Sequence, residues 1–151
     1  NIDYGYTHKL EDLVILEDKI PFLSALSRNG YSHIVVTNQS GIGRKFYSEG
    51  EMHRFNNELA LRFLAHNIYF TDFLFCPHLP DDQGNPTCIC RKPQSTMYVN
   101  ALAKYNGSAK YSLIVGDKIS DIAPAEEIGC TAVLHPPGAM VKFKSVIFPD
   151  V

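Results

Sequence analysis

Three of the four cysteines in this chain lie in one short stretch, together with a histidine. They are Cys76, Cys88 and Cys90, which with His78 have the spacing C-x-H-x9-C-x-C. Three thiolates and one imidazole are donors that a tetrahedral zinc ion prefers, and they leave no position open for water. The alternatives are a disulfide between two of the cysteines and a surface loop whose thiols have no role. Donors clustered on both sides of a Pro- and Asp-rich stretch favour a metal, although the spacing differs from the common CxxC pattern.

Other polar clusters follow apolar runs. Residues 37–44 read Thr-Asn-Gln-Ser-Gly-Ile-Gly-Arg after Ile-Val-Val, and Asp117 with Lys118 follows Leu-Ile-Val-Gly. The glycines of the first cluster open backbone amides that can face an anion, whereas a plain turn would need one glycine and no such polar run. Asp117 stands where a cation could be held. Asp121, about one turn further, is equally compatible with a helix cap and with a ligand.

Hydrophobic periodicity predicts the elements that position these clusters. We predict helices over 20–29, 48–66, 96–105 and 122–128, and strands over 31–36, 72–75, 111–115, 131–134 and, at an edge, 146–148. Alternating strands and helices predict a doubly wound parallel α/β sheet, here a single domain over 1–151. Because the carboxyl ends of parallel strands meet at one edge, we expect the clusters and the pair Arg91–Lys92 to converge there. Such a set suits a phosphate monoester and a divalent metal.

Composition excludes several function classes. The net charge of −2 offers no bulk attraction to nucleic acid or to anionic lipid. No apolar run approaches the ~20 residues of a membrane span. Cysteines gathered in one metal-like cluster, with Cys130 alone in an apolar context, indicate a reducing compartment. We therefore expect a cytoplasmic enzyme. We also expect a monomer whose partner is a small molecule, with no nucleic acid and no membrane.

Three of these motifs resemble those of the haloacid dehalogenase (HAD) superfamily of phosphatases. The matches are Val-Val-Thr-Asn-Gln-Ser-Gly-Ile-Gly-Arg, Cys-Pro-His with Cys-Ile-Cys-Arg-Lys-Pro, and Val-Gly-Asp-Lys-Ile-Ser-Asp. Within the superfamily the chain is similar to the D-glycero-D-manno-heptose 1,7-bisphosphate 7-phosphatases, with the histidinol-phosphate phosphatases as near relatives. The resemblance covers almost the whole chain, to about Leu134. It implies a HAD-like, Rossmann-type fold with a zinc loop over 76–90.

The resemblance also implies roles for the matched residues. Thr37 would orient the transferring phosphoryl group, Lys92 would neutralise its charge, and Asp117 would be a ligand of catalytic Mg²⁺, whereas zinc would be structural. The opening Asn-Ile-Asp-Tyr-Gly-Tyr matches a substrate-contacting segment. The substrate-binding residues implied in this way are Asn1, Ile2, Asp3, Tyr4, Thr37, Asn38, Gln39, Ser40, Arg91, Lys92 and Lys118.

The first motif of the superfamily, Asp-x-Asp-Gly-Thr, has no match in the 151 residues. Its two aspartates are the nucleophile and the general acid, and it lies on a central strand. We expect an N-terminal strand with this motif in the full protein; the other explanation is a relative that binds phosphate ligands without hydrolysis. The resemblance thus implies Mg²⁺-dependent hydrolysis of a sugar bisphosphate, in carbohydrate metabolism that leads to lipopolysaccharide. Histidinol phosphate is the alternative substrate.

Overall fold

The computed structural model describes residues 9–13, 19–134 and 145–149. The helices are α1 (Lys19–Arg28), α2 (Ser40–Gly43), α3 (Glu49–Leu64), α4 (Thr96–Lys104), α5 (Ile119–Ile122) and α6 (Pro124–Ile128), with 3-10 turns at Leu10–Asp12 and Ala109–Tyr111. The strands are β1 (Tyr31–Asn38), β2 (Phe70–Cys76), β3 (Leu113–Gly116), β4 (Thr131–Leu134) and β5 (Ser145–Pro149). None of the helices in these ranges is long and apolar enough to cross a bilayer.

Strand β1 is buried from both sides, which explains its apolar run Ile34-Val35-Val36. Successive side chains of a strand point to opposite faces of the sheet. Ile34 and Val36 accordingly pack with residues of α4 and α6, whereas Val35 packs with residues of α1 and α3. Helices therefore cover both faces, as a doubly wound sheet requires, and the predicted fold class is confirmed.

The five strands form one sheet in the order β2-β1-β5-β3-β4. Strands β1 and β2 are parallel, as are β3 and β4, and β5 runs antiparallel to both β1 and β3. The other four strands consequently share one direction, and their carboxyl ends lie at one edge. In the register of the first pair, Asn38 stands opposite Cys76. This pairing brings the residues after β1 and β2 together.

The prediction of an edge strand at 146–148 is wrong, because β5 lies in the middle of the sheet. Its backbone pairs with β1 on one side and with β3 on the other. Strands β1 and β3 do not pair with each other, so their backbone donors and acceptors face the gap between them. Because these groups are buried, they must be paired. Apolar patterning does not encode which segment fills such a gap. In the described residues β5 thus has a central place in the sheet, and a central strand is also what the resemblance implies for the Asp-x-Asp motif.

The boundaries of the helices follow local signals. Helix α3 begins with the predicted capping box: Glu51 N donates to Ser48 Oγ at 3.1 Å, and Ser48 N donates to Glu51 Oε2 at 2.8 Å. The single helix predicted over 122–128 is instead two short helices that meet at Ala123. Pro124 begins the second helix. Its fixed φ is compatible with the first helical turn, whereas a later position would need the backbone N–H that proline lacks.

Candidate functional site

Lys92 is a buried cation at the carboxyl edge of the sheet. Only 3% of it is exposed. Its ammonium donates to the carbonyl oxygen of Val36 at 2.8 Å and lies 3.1 Å from Asp121 Oδ1. The side chain thereby joins β1 to the start of α5. A buried charge held in this way keeps its position without help from solvent.

Asp121 is the acidic partner of this pair, and it is fully buried. Its Oδ2 accepts from the backbone N–H of Lys118 at 3.2 Å, and its carbonyl oxygen accepts from the Tyr98 hydroxyl at 2.7 Å. Burial, and then the nearby Asp121 carboxylate, raise the pKa of Tyr98, which stays a protonated donor. A Cβ on Gly116 would lie 2.4 Å from Asp121 Cβ, so glycine is needed there. Asp121 therefore both caps α5 and pairs with Lys92.

Two polar atoms near the same loops are buried without a hydrogen-bond partner among the described residues. They are Asp117 Oδ1, directly after β3, and Arg91 Nη1, directly before Lys92. Buried polar groups are rarely left unpaired, so each is a candidate position for a ligand contact. The carboxylate oxygen suits a cation, and the guanidinium nitrogen suits an anion or a hydroxyl.

The hydroxyl of Thr37 belongs to a hydrogen-bonded chain that sequence reasoning missed in part. Gln39 Nε2 donates to Thr37 Oγ1 at 3.2 Å, and the Tyr47 hydroxyl donates to Gln39 Oε1. With its carbonyl oxygen taken by the phenol, the amide presents its NH₂ to Thr37. The threonine proton is left to donate, here to the Asn38 carbonyl oxygen at 3.3 Å. No motif spacing in the sequence indicates that Tyr47 belongs to the site. The one signal available in the sequence is Gly41, which leaves room for the Tyr47 ring.

Replacing Gly41 by alanine should destabilise the protein by about 1–3 kcal/mol, because the new Cβ would overpack the site. That Cβ would lie 2.2 Å from Tyr47 Cε1. The matched control is Gly50→Ala, where the nearest atom outside the helix backbone is Ser48 Oγ at 3.7 Å. It should raise stability by up to about 1 kcal/mol, since alanine favours a helix. Urea unfolding measures both changes, and a Gly41→Ala midpoint at or above wild type would contradict this packing of Tyr47.

The donor atoms of the four residues predicted to bind zinc converge. Cys76 Sγ, His78 Nδ1, Cys88 Sγ and Cys90 Sγ all lie within 4.8 Å of one another. Four of the separations are 3.3–3.6 Å. Ligands about 2.3 Å from a tetrahedral zinc ion stand about 3.7 Å apart. The group could therefore hold a metal ion.

The same loop contains a disulfide between Cys76 and Cys90, and Cys88 has a free thiol. A disulfide and a bound metal exclude each other here, because both need the same two sulfurs. A disulfide alone would not require His78 and Cys88 to approach these sulfurs. The convergence of all four donors thus fits a metal with the pair reduced. The fourth cysteine, Cys130, packs against the core, and burial raises the pKa of its thiol, as an inert cysteine requires.

The structure brings together some of the sequence-predicted residues and not others. Hydrogen bonds, direct or through backbone atoms, join four of them: Thr37, Asn38, Gln39 and Lys92. Ser40 begins α2, and the side chain of Lys118 is exposed. The predicted substrate contacts at residues 1–4 lie outside the described residues.

Known proteins are similar to this chain in sequence. A sequence profile of the family described as HAD-hydrolase-like matches residues 89–140. The D-glycero-beta-D-manno-heptose-1,7-bisphosphate 7-phosphatase of Haemophilus ducreyi is 34% identical over 132 residues, covering 85% of this chain and 72% of the relative. A probable D-glycero-D-manno-heptose-1,7-bisphosphate 7-phosphatase of Thermoplasma acidophilum is 39% identical over 118 residues, covering 78% and 71%.

A solved structure has the same fold. It is the D,D-heptose 1.7-bisphosphate phosphatase from B. bronchiseptica complexed with magnesium and phosphate, with a TM-score of 0.77 and 23% identity. The match covers 87% of this chain and 71% of that chain. The HAD-like architecture predicted from the motifs is thereby confirmed.

Proposed function

Since the chain belongs to the D-glycero-D-manno-heptose-1,7-bisphosphate 7-phosphatase family of HAD-like hydrolases, we propose that it hydrolyses the 7-phosphate ester of such a sugar with the help of Mg²⁺. The observation that carries the proposal is the buried ammonium of Lys92, fixed by Val36 O at 2.8 Å and Asp121 Oδ1 at 3.1 Å. A fixed cation at the carboxyl edge of the sheet, beside Thr37, is what phosphoryl transfer needs.

The described side chains bind and neutralise the phosphoryl group. Negative charge spreads over its oxygens in the transition state, and a cation already in place stabilises that charge without reorganisation. Lys92 has this role. The Thr37 hydroxyl, which accepts from Gln39, turns its own proton to a phosphoryl oxygen. Arg91, whose buried Nη1 has no hydrogen-bond partner within the described part of the chain, binds the rest of the substrate.

Two metals complete the proposal. Asp117 Oδ1, buried and without a partner among the described residues, would hold Mg²⁺, a cation that prefers carboxylate oxygens. When bound, Mg²⁺ neutralises phosphate charge. Zinc in the zinc loop would be structural, because four protein donors leave it no open position. We assign attack on phosphorus to a carboxylate outside the described residues, since Asp121 is paired with Lys92 and Asp117 is reserved for the metal.

We expect Asp117→Asn to lower phosphate release at least about 100-fold at a fixed Mg²⁺ concentration, and to raise the Mg²⁺ needed for half-maximal rate. An amide keeps the shape of the carboxylate but loses the charge that attracts the cation. The measurement is a Mg²⁺ titration of the full-length protein acting on heptose bisphosphate. Asp82→Asn, the same change at an exposed position, should behave as wild type. An unchanged Mg²⁺ dependence in Asp117→Asn would show that Asp117 is not a ligand.

A substrate panel tests the rest of the proposal. We propose the heptose bisphosphate over histidinol phosphate, and a monomeric enzyme in the cytoplasm. Phosphate release from the heptose bisphosphate should therefore exceed release from histidinol phosphate at equal concentration. If full-length protein with Mg²⁺ releases phosphate from neither, the hydrolase proposal is wrong, and a phosphate-binding relative takes its place.

A further inference from the structure

The side-chain amide of Asn38 binds the backbone of a residue far away in the sequence. Its Nδ2 donates to the carbonyl oxygen of Lys92 at 3.2 Å, and its Oδ1 accepts from the Lys92 backbone N–H at 3.0 Å. One planar amide thus satisfies both backbone groups of one residue, as a neighbouring strand would. These two bonds leave the amide of Asn38 directed at Lys92.

The segment that follows Asn38 holds the other end of the zinc loop. Gln39 N donates to the Cys76 carbonyl oxygen at 2.8 Å, and Gly43 N donates to that of Pro77 at 3.2 Å. A Cβ on Gly43 would lie 2.7 Å from the Pro77 oxygen, so glycine permits this approach. Both ends of the loop are therefore held by one short piece of chain, from the last residue of β1 to Gly43.

We infer that Asn38 is a positioning residue, which sets the place of the Lys92 ammonium and does not itself bind substrate. Lys92 is held at its backbone by Asn38 and at its ammonium by Val36 O. Both partners belong to β1, so a single strand locates the two ends of this lysine. Without the amide, the backbone of Lys92 would be located by the zinc loop alone. The inference rests on the proposed function, in which Lys92 stabilises the phosphoryl group.

The test compares Asn38→Ala and Asn38→Asp with wild type in the full-length protein. Both should lower kcat by about 10–100-fold near neutral pH, as loss of a supporting partner does. An ionised Asp at position 38 accepts from Lys92 N, but its second carboxylate oxygen faces the Lys92 carbonyl oxygen, and the two acceptors repel each other. Once this Asp is protonated, its O–H can donate to the Lys92 carbonyl oxygen. The ratio of Asn38→Asp kcat to wild-type kcat should therefore rise as pH falls from about 8 to about 5, whereas the Asn38→Ala ratio stays flat.

A merely structural role would change the rate only through the folded fraction, which itself varies with pH in Asn38→Asp, so the kcat ratios are calculated per folded protein from unfolding curves of each variant at each pH. Asn57→Asp supplies the matched control: the same change on the exposed face of α3 should leave the rate at the wild-type value at each pH. Flat ratios for both Asn38 variants would overturn the inference.

A second substrate separates positioning from direct contact. Because Lys92 acts on the phosphoryl group, Asn38→Ala should lower kcat by the same factor with heptose bisphosphate and with p-nitrophenyl phosphate, and leave KM nearly unchanged. A raised KM for the sugar alone would overturn the inference in favour of substrate contact. Absence of phosphate release by wild type would refute the proposed function. An active wild type whose Asn38 variants match it would refute this inference alone.

Discussion

Replacing Lys92 by methionine should lower phosphate release by about 1,000-fold, the largest effect we expect of a single side chain here. The ammonium is the buried cation of the site, and methionine fills its volume without its charge. The same change should cost about 3–5 kcal/mol of stability, because Asp121 would stay buried without its ion-pair partner. Phosphate release and urea unfolding measure the two effects.

A double variant separates the loss of catalysis from the loss of stability. Lys92→Met with Asp121→Asn buries no net charge, and the Asn oxygen can still accept from Lys118 N. Most of the lost stability should return, and the activity should not. The control Lys110→Met changes an exposed lysine before β3, at the far end of that strand, and should match wild type in both assays. A folded Lys92→Met protein within tenfold of wild-type activity would remove Lys92 from the mechanism.

If the zinc loop binds a metal as proposed, loss of that metal should have the second large effect, on folding and activity together. Metal bound by a site absent from the unfolded chain contributes its binding free energy to folding, so we expect chelation to cost at least several kcal/mol. Activity should fall with it, because Lys92 follows Cys90 by two residues. Cys88→Ser should reproduce both losses and lower the zinc content, whereas Cys130→Ala should change neither.

The disulfide predicts the opposite pattern. If the Cys76–Cys90 bond holds the loop, a reductant should destabilise the protein, a chelator should not, and Cys88→Ser should resemble wild type, since Cys88 is outside the bond. If a metal holds the loop, the chelator should destabilise the protein and the reductant should not. Unfolding curves of reduced protein with and without chelator therefore distinguish the two states.

Several elements could be predicted because their signals are local. The capping box at Ser48, the buried stripe with Met52, Leu59 and Phe63, and the strand ending in Ile-Val-Val all occur in the structure near their expected boundaries. Each depends on interactions within a few residues or on burial of one face. The HAD-like fold followed from motifs whose order and strand context agree.

The position of β5 could not be predicted in this way. Its pairing with β1 and β3 joins segments far apart in the chain, and an apolar strand suits a central place as well as an edge. The same limit applies to Asp121, which its sequence leaves open between cap and ligand. Its ion pair with Lys92 depends on how closely α5 approaches β3 at Gly116.

The zinc loop has one feature that the sequence determined and another that only the tertiary structure determined. The clustering of three cysteines and a histidine in the sequence predicted four donors for a metal, because a metal's preference for thiolate and imidazole is a property of residue types. Only the tertiary structure decided what the loop is attached to: Asn38 binds the backbone of Lys92, and Val36 O binds its ammonium. These hydrogen bonds join residues more than fifty positions apart. No periodicity or motif spacing records them, since they exist only once β1 and the loop have packed together.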